Sequence, residues 1–246
     1  ACRVQDGGFE GAHNGLITWR HLLQQTSEWE GELFGKSDVI DRYRTLAGEG
    51  RGARKGQQRP LQLPGSFWEY NDVRVNRLSL ALLRLFRRPL PEVFAERIMR
   101  PIGGSSDWAW HGYATSTVEV DGRMVESVAG GTHWGGGIEM HAEDQARIGQ
   151  LMLNRGRWGD VRVLPDRWIN ESLAPCPIHP GYGLLWWLNG DKSRPSASPE
   201  SYFAVGAGGN QTWIDPSSGI VAAMRWIDPA AVDGFIARVI AALQTA

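Results

Sequence analysis

Residues 64–88 read PGSFWEYNDVRVNRLSLALLRLFRR. A Pro-Gly-Ser turn opens the stretch and a tyrosine stands at 70. Asn71 or Asp72 can then accept the first free N–H groups of a helix that starts at Asp72. Leu78, Leu82, Leu85 and Phe86 recur at three- and four-residue steps and supply its apolar stripe. Pro89 stops the helix at Arg88, because it has no N–H to donate and its ring disfavours helical backbone before it. The stretch is a turn that delivers one tyrosine to the start of a long core helix.

The punctuation continues outward from this helix. ITWRHLLQQ (17–25) predicts a helix capped by Thr18, with Leu22 and Leu23 facing the core. Residues 37–47 predict a second helix, and GEGRGARKGQQRPLQLP (48–64) a basic, Gly-rich loop whose charge reads as solvated surface. Past Pro89 another helix begins near Pro91 and runs through Val93, Phe94 and Ile98 to Met99, closed by Pro101 and Gly103-Gly104. Residues 116–128 predict a hairpin turning at Asp121-Gly122. VAGGTHWGGG (128–137) predicts a tight glycine loop, and residues 142–154 a further helix. After Gly181 the pattern changes to short aromatic and β-branched strands, YGLLWWLN, SYFAVGAGG, QTWIDP and GIVAAMRWI, before helical spacing returns over 231–243. This order predicts an α+β protein: one domain over 1–246, mainly helical from about 16 to 180, then antiparallel strands and a C-terminal helix from about 181 to 246.

Composition narrows the function. The 246 residues are 42% hydrophobic and 22% charged, enough to bury a core, and the net charge of −1 provides no electrostatic reason to expect nucleic acid or an anionic membrane. Of 26 basic residues only Lys36, Lys55 and Lys192 are lysines. No run of about 18 apolar residues could span a bilayer. No basic start leads into an apolar stretch at residues 1–10, which favours a cytoplasmic location. Cys2 and Cys176 make neither a disulfide framework nor a zinc site, and the six histidines lack metal-ligand spacing. GxSxG, GxxxxGK[ST] and strand-linked GxGxxG are all absent, so no nucleotide or other cofactor is expected.

Five ordered segments between about residues 16 and 240 resemble the serine β-lactamase and penicillin-binding-protein superfamily, above all its class C β-lactamase-related carboxylesterase and 6-aminohexanoate-dimer hydrolase branch. They are ITWRHLLQQTSEW, PGSFWEYNDVRVN, ERIMRPIGGSSDW, GGTHWGGGIEMHAEDQARIGQLMLNRGRW, and the closing pair YGLLWWLN with VGAGGNQTWIDPSSGIVAAMRW. The resemblance implies a β-lactamase/transpeptidase-like fold and a serine hydrolase that turns over small esters or amides through an acyl-enzyme. It implies catalytic roles for Tyr70 and for Asp72, which holds the third position of the tyrosine motif. His133 and Trp134, in the Gly-rich loop, are implied to touch substrate. The edge-strand motif, usually Lys or His, then Thr or Ser, then Gly, reads Ala207-Gly208-Gly209 here, and the N–H near Asn210 is implied as an oxyanion donor. Loss of the cation at 207 suits a plain esterase better than recognition of a β-lactam carboxylate.

The family's Ser-x-x-Lys motif has no match. Leu33, Gly52 and Asn189 stand three residues before the three lysines. In relatives that motif lies upstream of the segment matching ITWRHLL, so the N-terminal part of the fold, with the nucleophile, is expected to lie before Ala1. Without the lysine, Tyr70 is expected to stay protonated, since a free phenol has a pKa of about 10. An exposed sheet edge left by the missing strands is expected to favour a homo-oligomer. Two other readings stand beside the hydrolase. One is a catalytically silent binding or scaffold protein; the other is an enzyme with a relocated nucleophile, Ser66 or Ser27.

Overall fold

The computed structural model describes residues 2–44, 54–130 and 137–245. Contacts divide the chain into two units, Ala1–Glu96 with Trp108–Glu139, and Arg97–Asp107 with Met140–Ala246. The two units are interleaved along the chain.

The first unit opens with α1 (Trp19–Leu23), shorter than the expected helix over 17–25. Thr18 caps it: its hydroxyl accepts from the His21 N–H at 3.2 Å, and His21 Nδ1 accepts from the Thr18 N–H at 3.3 Å. This is a capping box with His in the place usually held by Glu or Gln. The helix expected over 37–47 is not formed among the described residues. A small hairpin, β1 (Glu32–Leu33) and β2 (Lys36–Ser37), turns through Phe34 and Gly35, both at positive φ. Ser37 then caps a single 3-10 turn, Asp38–Asp41, and Arg42 leaves it extended. The Asp and β-branched residues of DVID are weak helix formers, and the buried ion pairs of Asp38 and Arg42 favour the tighter turn.

α2 (Asp72–Phe86) is the central helix, with Asn71 as N-cap and Arg87 in the left-handed conformation at its end. Residues 71–81 are buried all round, and Leu78, Leu80 and Leu83 join Ile17, Leu22, Trp29, Val73, Val120 and Val128 in one core. Leu82 is partly buried, but Leu85 and Phe86 are 62% and 47% exposed, so the expected stripe is corrected at its C-terminal end. There the helix has run past the elements that cover its first three turns. α3 (Leu90–Phe94) follows and passes into a π-helical turn, Ala95–Met99. Phe94 meets Trp108 edge-on at 5.3 Å. β3 (Ala109–Val120) and β4 (Arg123–Val128) form the expected hairpin, extended further back along the chain, and β5 (Gly137–Glu139) pairs with the other edge of β3. Asp121 and Gly122 both have positive φ, which matches the right-handed twist of the strands they join.

In the second unit α4 (Ala142–Leu153) leads to a hairpin of β6 (Arg157–Trp158) and β7 (Val161–Arg162) and to α5 (Asp166–Ser172). Then come β8 (Trp187–Leu188), β9 (Tyr202–Gly206), β10 (Asn210–Asp215), β11 (Ile220–Met224) and α6 (Val232–Gln244). The sheet is antiparallel in the order β11-β10-β9-β8. Its two faces follow strand alternation. Thr212, Ile214 and Val221 meet α4 at Gly149, where a Cβ would sit 2.5 Å from Val221 Cγ1. Phe203, Trp213 and Met224 pack with Val232 and Ile236 of α6. No described helix is long and apolar enough to cross a membrane.

Candidate active site

Tyr70 sits immediately before α2, and the local sequence explains its placement. Asn71, fully buried, takes the cap: its Oδ1 accepts from the Arg74 N–H at 3.2 Å and its Nδ2 donates to the Asp38 carbonyl at 2.9 Å. Asp72 is therefore not the cap, and its carboxylate is left for charge pairing. Arg44 Nη1 lies 2.5 Å from it, and the Arg44 guanidinium stands 5.2 Å from the centre of the Tyr70 ring. The Asp72 N–H donates to Asp41 Oδ2 at 2.9 Å, and Lys55 Nζ lies 3.5 Å from Asp41 Oδ1. Arg44, Asp72 and Asp41 thus set the charge around the phenol, with Lys55 paired to Asp41.

Electrostatics at Tyr70 favour the neutral phenol. Burial and the charges of Asp72 and Asp41 push it up to about 12, against the opposing pull of Arg44. Tyr113 is raised too, chiefly by burial, with the hydrogen bond from Asn76 Nδ2 at 2.8 Å opposing. Asn76 Oδ1 also accepts from the Gly130 N–H at 2.9 Å, so one side chain ties α2 to β3 and to Gly130 at the start of the Gly-rich stretch.

Beside this group lies a buried ionic network, and it includes Arg59 from the loop over 48–64 whose charge was expected to be solvated surface. Arg59, in the stretch expected as a basic loop, pairs with Glu28 at 2.6 Å and Glu69 at 2.8 Å. Arg74 pairs with Glu28 at 2.8 Å and Asp38 at 3.2 Å, and Arg42 with Asp38 at 3.0 Å. Side chains of all six are at most 6% exposed. Three guanidiniums match three carboxylates, and because Glu69 precedes Tyr70 the network fixes the backbone that carries the phenol. The signal in the sequence is the preference for arginine over lysine, since a planar guanidinium can pair with carboxylates on several edges at once.

The other expected site residues fall as follows. His133 and Trp134 lie outside the described residues. Ala207-Gly208-Gly209 forms the tight connection from β9 to β10, with Gly208 and Gly209 at φ +70° and +76°, and Asn210 opens β10. β10 is flanked by β9 and β11, so this segment is not on an edge strand as the resemblance implied. Asn210 Nδ2 donates to the Ala207 carbonyl at 2.8 Å and closes the turn. Ser27 is fully buried and accepts from the Trp29 N–H, while Ser66 is exposed and donates to the Leu63 carbonyl at 2.8 Å. Ser105 donates to Asp144 while His141 bonds Asp107, so the serine and the histidine pair with different carboxylates. Among the described residues no cluster of three or more His, Cys, Asp or Glu could hold a metal ion. Cys2 is exposed, Cys176 is buried, and both are free thiols.

Comparison with known proteins follows the same outline. A candidate D-alanyl-D-alanine carboxypeptidase of Salmonella typhimurium is 27% identical over 192 residues, 64% of this chain and 44% of the relative. The chain therefore spans less than half the length of the curated relatives it matches. A penicillin-binding-protein homologue from Caulobacter crescentus superposes with a TM-score of 0.61 at 16% identity, over 94% of this chain and 73% of that one. A candidate 6-aminohexanoate-dimer hydrolase from Bacillus anthracis does so with 0.60 at 19% identity, over 95% and 63%. These structures share the β-lactamase/transpeptidase-like fold, as the α+β architecture predicts. The β-lactamase family model matches residues 7–234, nearly the whole chain, and on that match the chain belongs to the β-lactamase family.

Proposed function

We propose that the protein is a serine-hydrolase-type esterase or amidase that cleaves small carboxylic esters or amides through an acyl-enzyme. The observation that carries this is the setting of Tyr70, held before α2 by the Asn71 cap, with Asp72, Arg44 and Asp41 around it. Family membership supports the class of chemistry. None of the three lysines has the Ser-x-x-Lys spacing, so the nucleophile and its lysine are assigned to a part of the protein outside these 246 residues. In that scheme the serine oxygen attacks the carbonyl carbon and its proton passes to the lysine amine. The leaving group departs with a proton from the lysine–tyrosine pair, and water then cleaves the acyl bond. A lysine ammonium beside Tyr70 would lower its phenol from about 12 toward the working range. The backbone N–H near Asn210 would be one of two oxyanion donors. With Ala207 in place of a cation, uncharged esters and amides suit the site better than carboxylate-bearing β-lactams.

The test is a fluorophosphonate probe on the protein extended upstream of Ala1. The expected result is one adduct, mapped by mass spectrometry to the serine of a Ser-x-x-Lys motif, and loss of p-nitrophenyl ester turnover in Tyr70→Phe. The high phenol pKa and the missing cation at 207 favour a second reading, a catalytically silent binding protein. An extended chain with no Ser-x-x-Lys, no adduct and no turnover, but measurable ester binding, would establish that one.

A further inference from the structure

Trp226 is 74% exposed, the most exposed large apolar side chain among the described residues. Alternation along β11 predicts the opposite. Ile220, Ala222 and Met224 face the core shared with α6, and Trp226 is next in that series. The strand ends at Met224 instead, and Trp226 takes φ +54°, a conformation that a bulky side chain rarely adopts. Contacts on both sides hold it there. Arg225 Nη1 donates to the Met140 carbonyl and to Gln145 Oε1, each at 3.0 Å, and the Ile227 N–H donates to the Gly209 carbonyl at 3.2 Å. Ile227, partly buried, packs against the core shared with α6.

The ejected indole lies against the Ala207-Gly208-Gly209 turn. A Cβ on Gly208 would collide with Trp226 Cζ3, and one on Gly209 with the Ile227 carbonyl. The two glycines and the Trp226–Ile227 step therefore fit as one piece, and strain kept at an exposed position points to use by a ligand. The charge of Arg225 is turned toward α4, so what the turn presents is an indole face and backbone. We infer that Trp226 is a specificity-determining residue whose ring holds the apolar acyl chain or aryl leaving group of an uncharged ester or amide. This rests on the proposed role of the 207–210 turn.

The experiment is calorimetric titration of N-phenylhexanamide into the protein and into Trp226→Phe, Trp226→Ala and Trp226→Gly. Loss of one aromatic contact predicts about two- to tenfold weaker binding for the Ala and Gly variants, with Trp226→Phe close to the parent. Glycine relieves the positive φ, so Trp226→Gly should melt no lower than the parent even as it binds less well, which separates a ligand role from a structural one. Parent-like binding by Trp226→Gly, or no binding by the parent, overturns the inference. Binding lost in the variants while the protein extended upstream of Ala1 never turns over esters would sink the hydrolase reading and leave Trp226 standing. Turnover of p-nitrophenyl hexanoate by that extended protein, unchanged in Trp226→Ala, would do the reverse.

Discussion

Arg74→Met tests whether the ionic network under Tyr70 holds the first unit together. Arg74 is 2% exposed and serves Glu28 at 2.8 Å, Asp38 at 3.2 Å, Glu69 at 3.4 Å and the Trp29 carbonyl at 3.1 Å. Methionine fills much of the volume but leaves three buried carboxylates facing two guanidiniums. Removing one partner of a buried ion pair costs about 3–5 kcal/mol, because the surviving charge stays desolvated. At roughly 2–4 °C per kcal/mol for a chain of this length, the thermal midpoint should fall by at least about 6 °C at pH 7. The pH dependence adds a second check. Burial pushes the Glu28 carboxyl up, but the Arg59 hydrogen bond, the Arg74 charge and the Gln62 N–H together bring it below its ordinary 4.5. A depressed carboxyl contributes stability above its unfolded pKa and loses it as pH falls through the folded value. The deficit of Arg74→Met should therefore be full at pH 7 and shrink below pH 4.5. Adding Glu28→Gln should restore part of the loss, since no unpaired charge then remains at that contact. A midpoint within about 2 °C of the parent, or a deficit that does not change with acid, would refute the reasoning.

Three further outcomes follow from the same structure. Ultraviolet titration should show one tyrosine absorbance step near pH 12 that Tyr70→Phe removes; because the folded pKa is raised from 10.0, its contribution to stability is full below pH 10 and lost between there and about 12. Asn71→Ala deletes the α2 cap and leaves the Asp38 carbonyl without its donor, so urea denaturation should register a loss of about 1–3 kcal/mol, whereas Asn71→Asp keeps the cap and should lose less. Gly149→Ala should destabilise by denaturant midpoint although alanine favours helix by about 1 kcal/mol, because its Cβ would stand 2.5 Å from Val221 Cγ1; a stabilised variant would mean that α4 can move off the sheet.

Much of the architecture was legible along the chain because it rests on contacts a few residues long. Thr18 caps its helix through His21, Asp121-Gly122 turns its hairpin, and β9 to β11 form the expected meander. The tyrosine segment and the family were legible for the same reason, as ordered local patterns. α5 and the β6–β7 hairpin went unread, being short and weakly patterned.

What the sequence alone determined is therefore the set of caps, turns and periodic stretches, the family they spell out, and the absence of a Ser-x-x-Lys pair within these residues. Only the tertiary structure decided which charges are buried. Arg74 meets Glu28 across 46 residues and Arg59 meets it across 31, and no local pattern marks such partners. The structure alone also turned residues 38–41 into a single tight turn, exposed Leu85 and Phe86, set Arg44 beside Tyr70, and turned Trp226 out of the strand alternation. The physical reason is common to all of them. A backbone hydrogen bond is made by neighbours and leaves its signature in spacing, whereas the cost of burying a charge or exposing a ring depends on what folds against it from elsewhere in the chain.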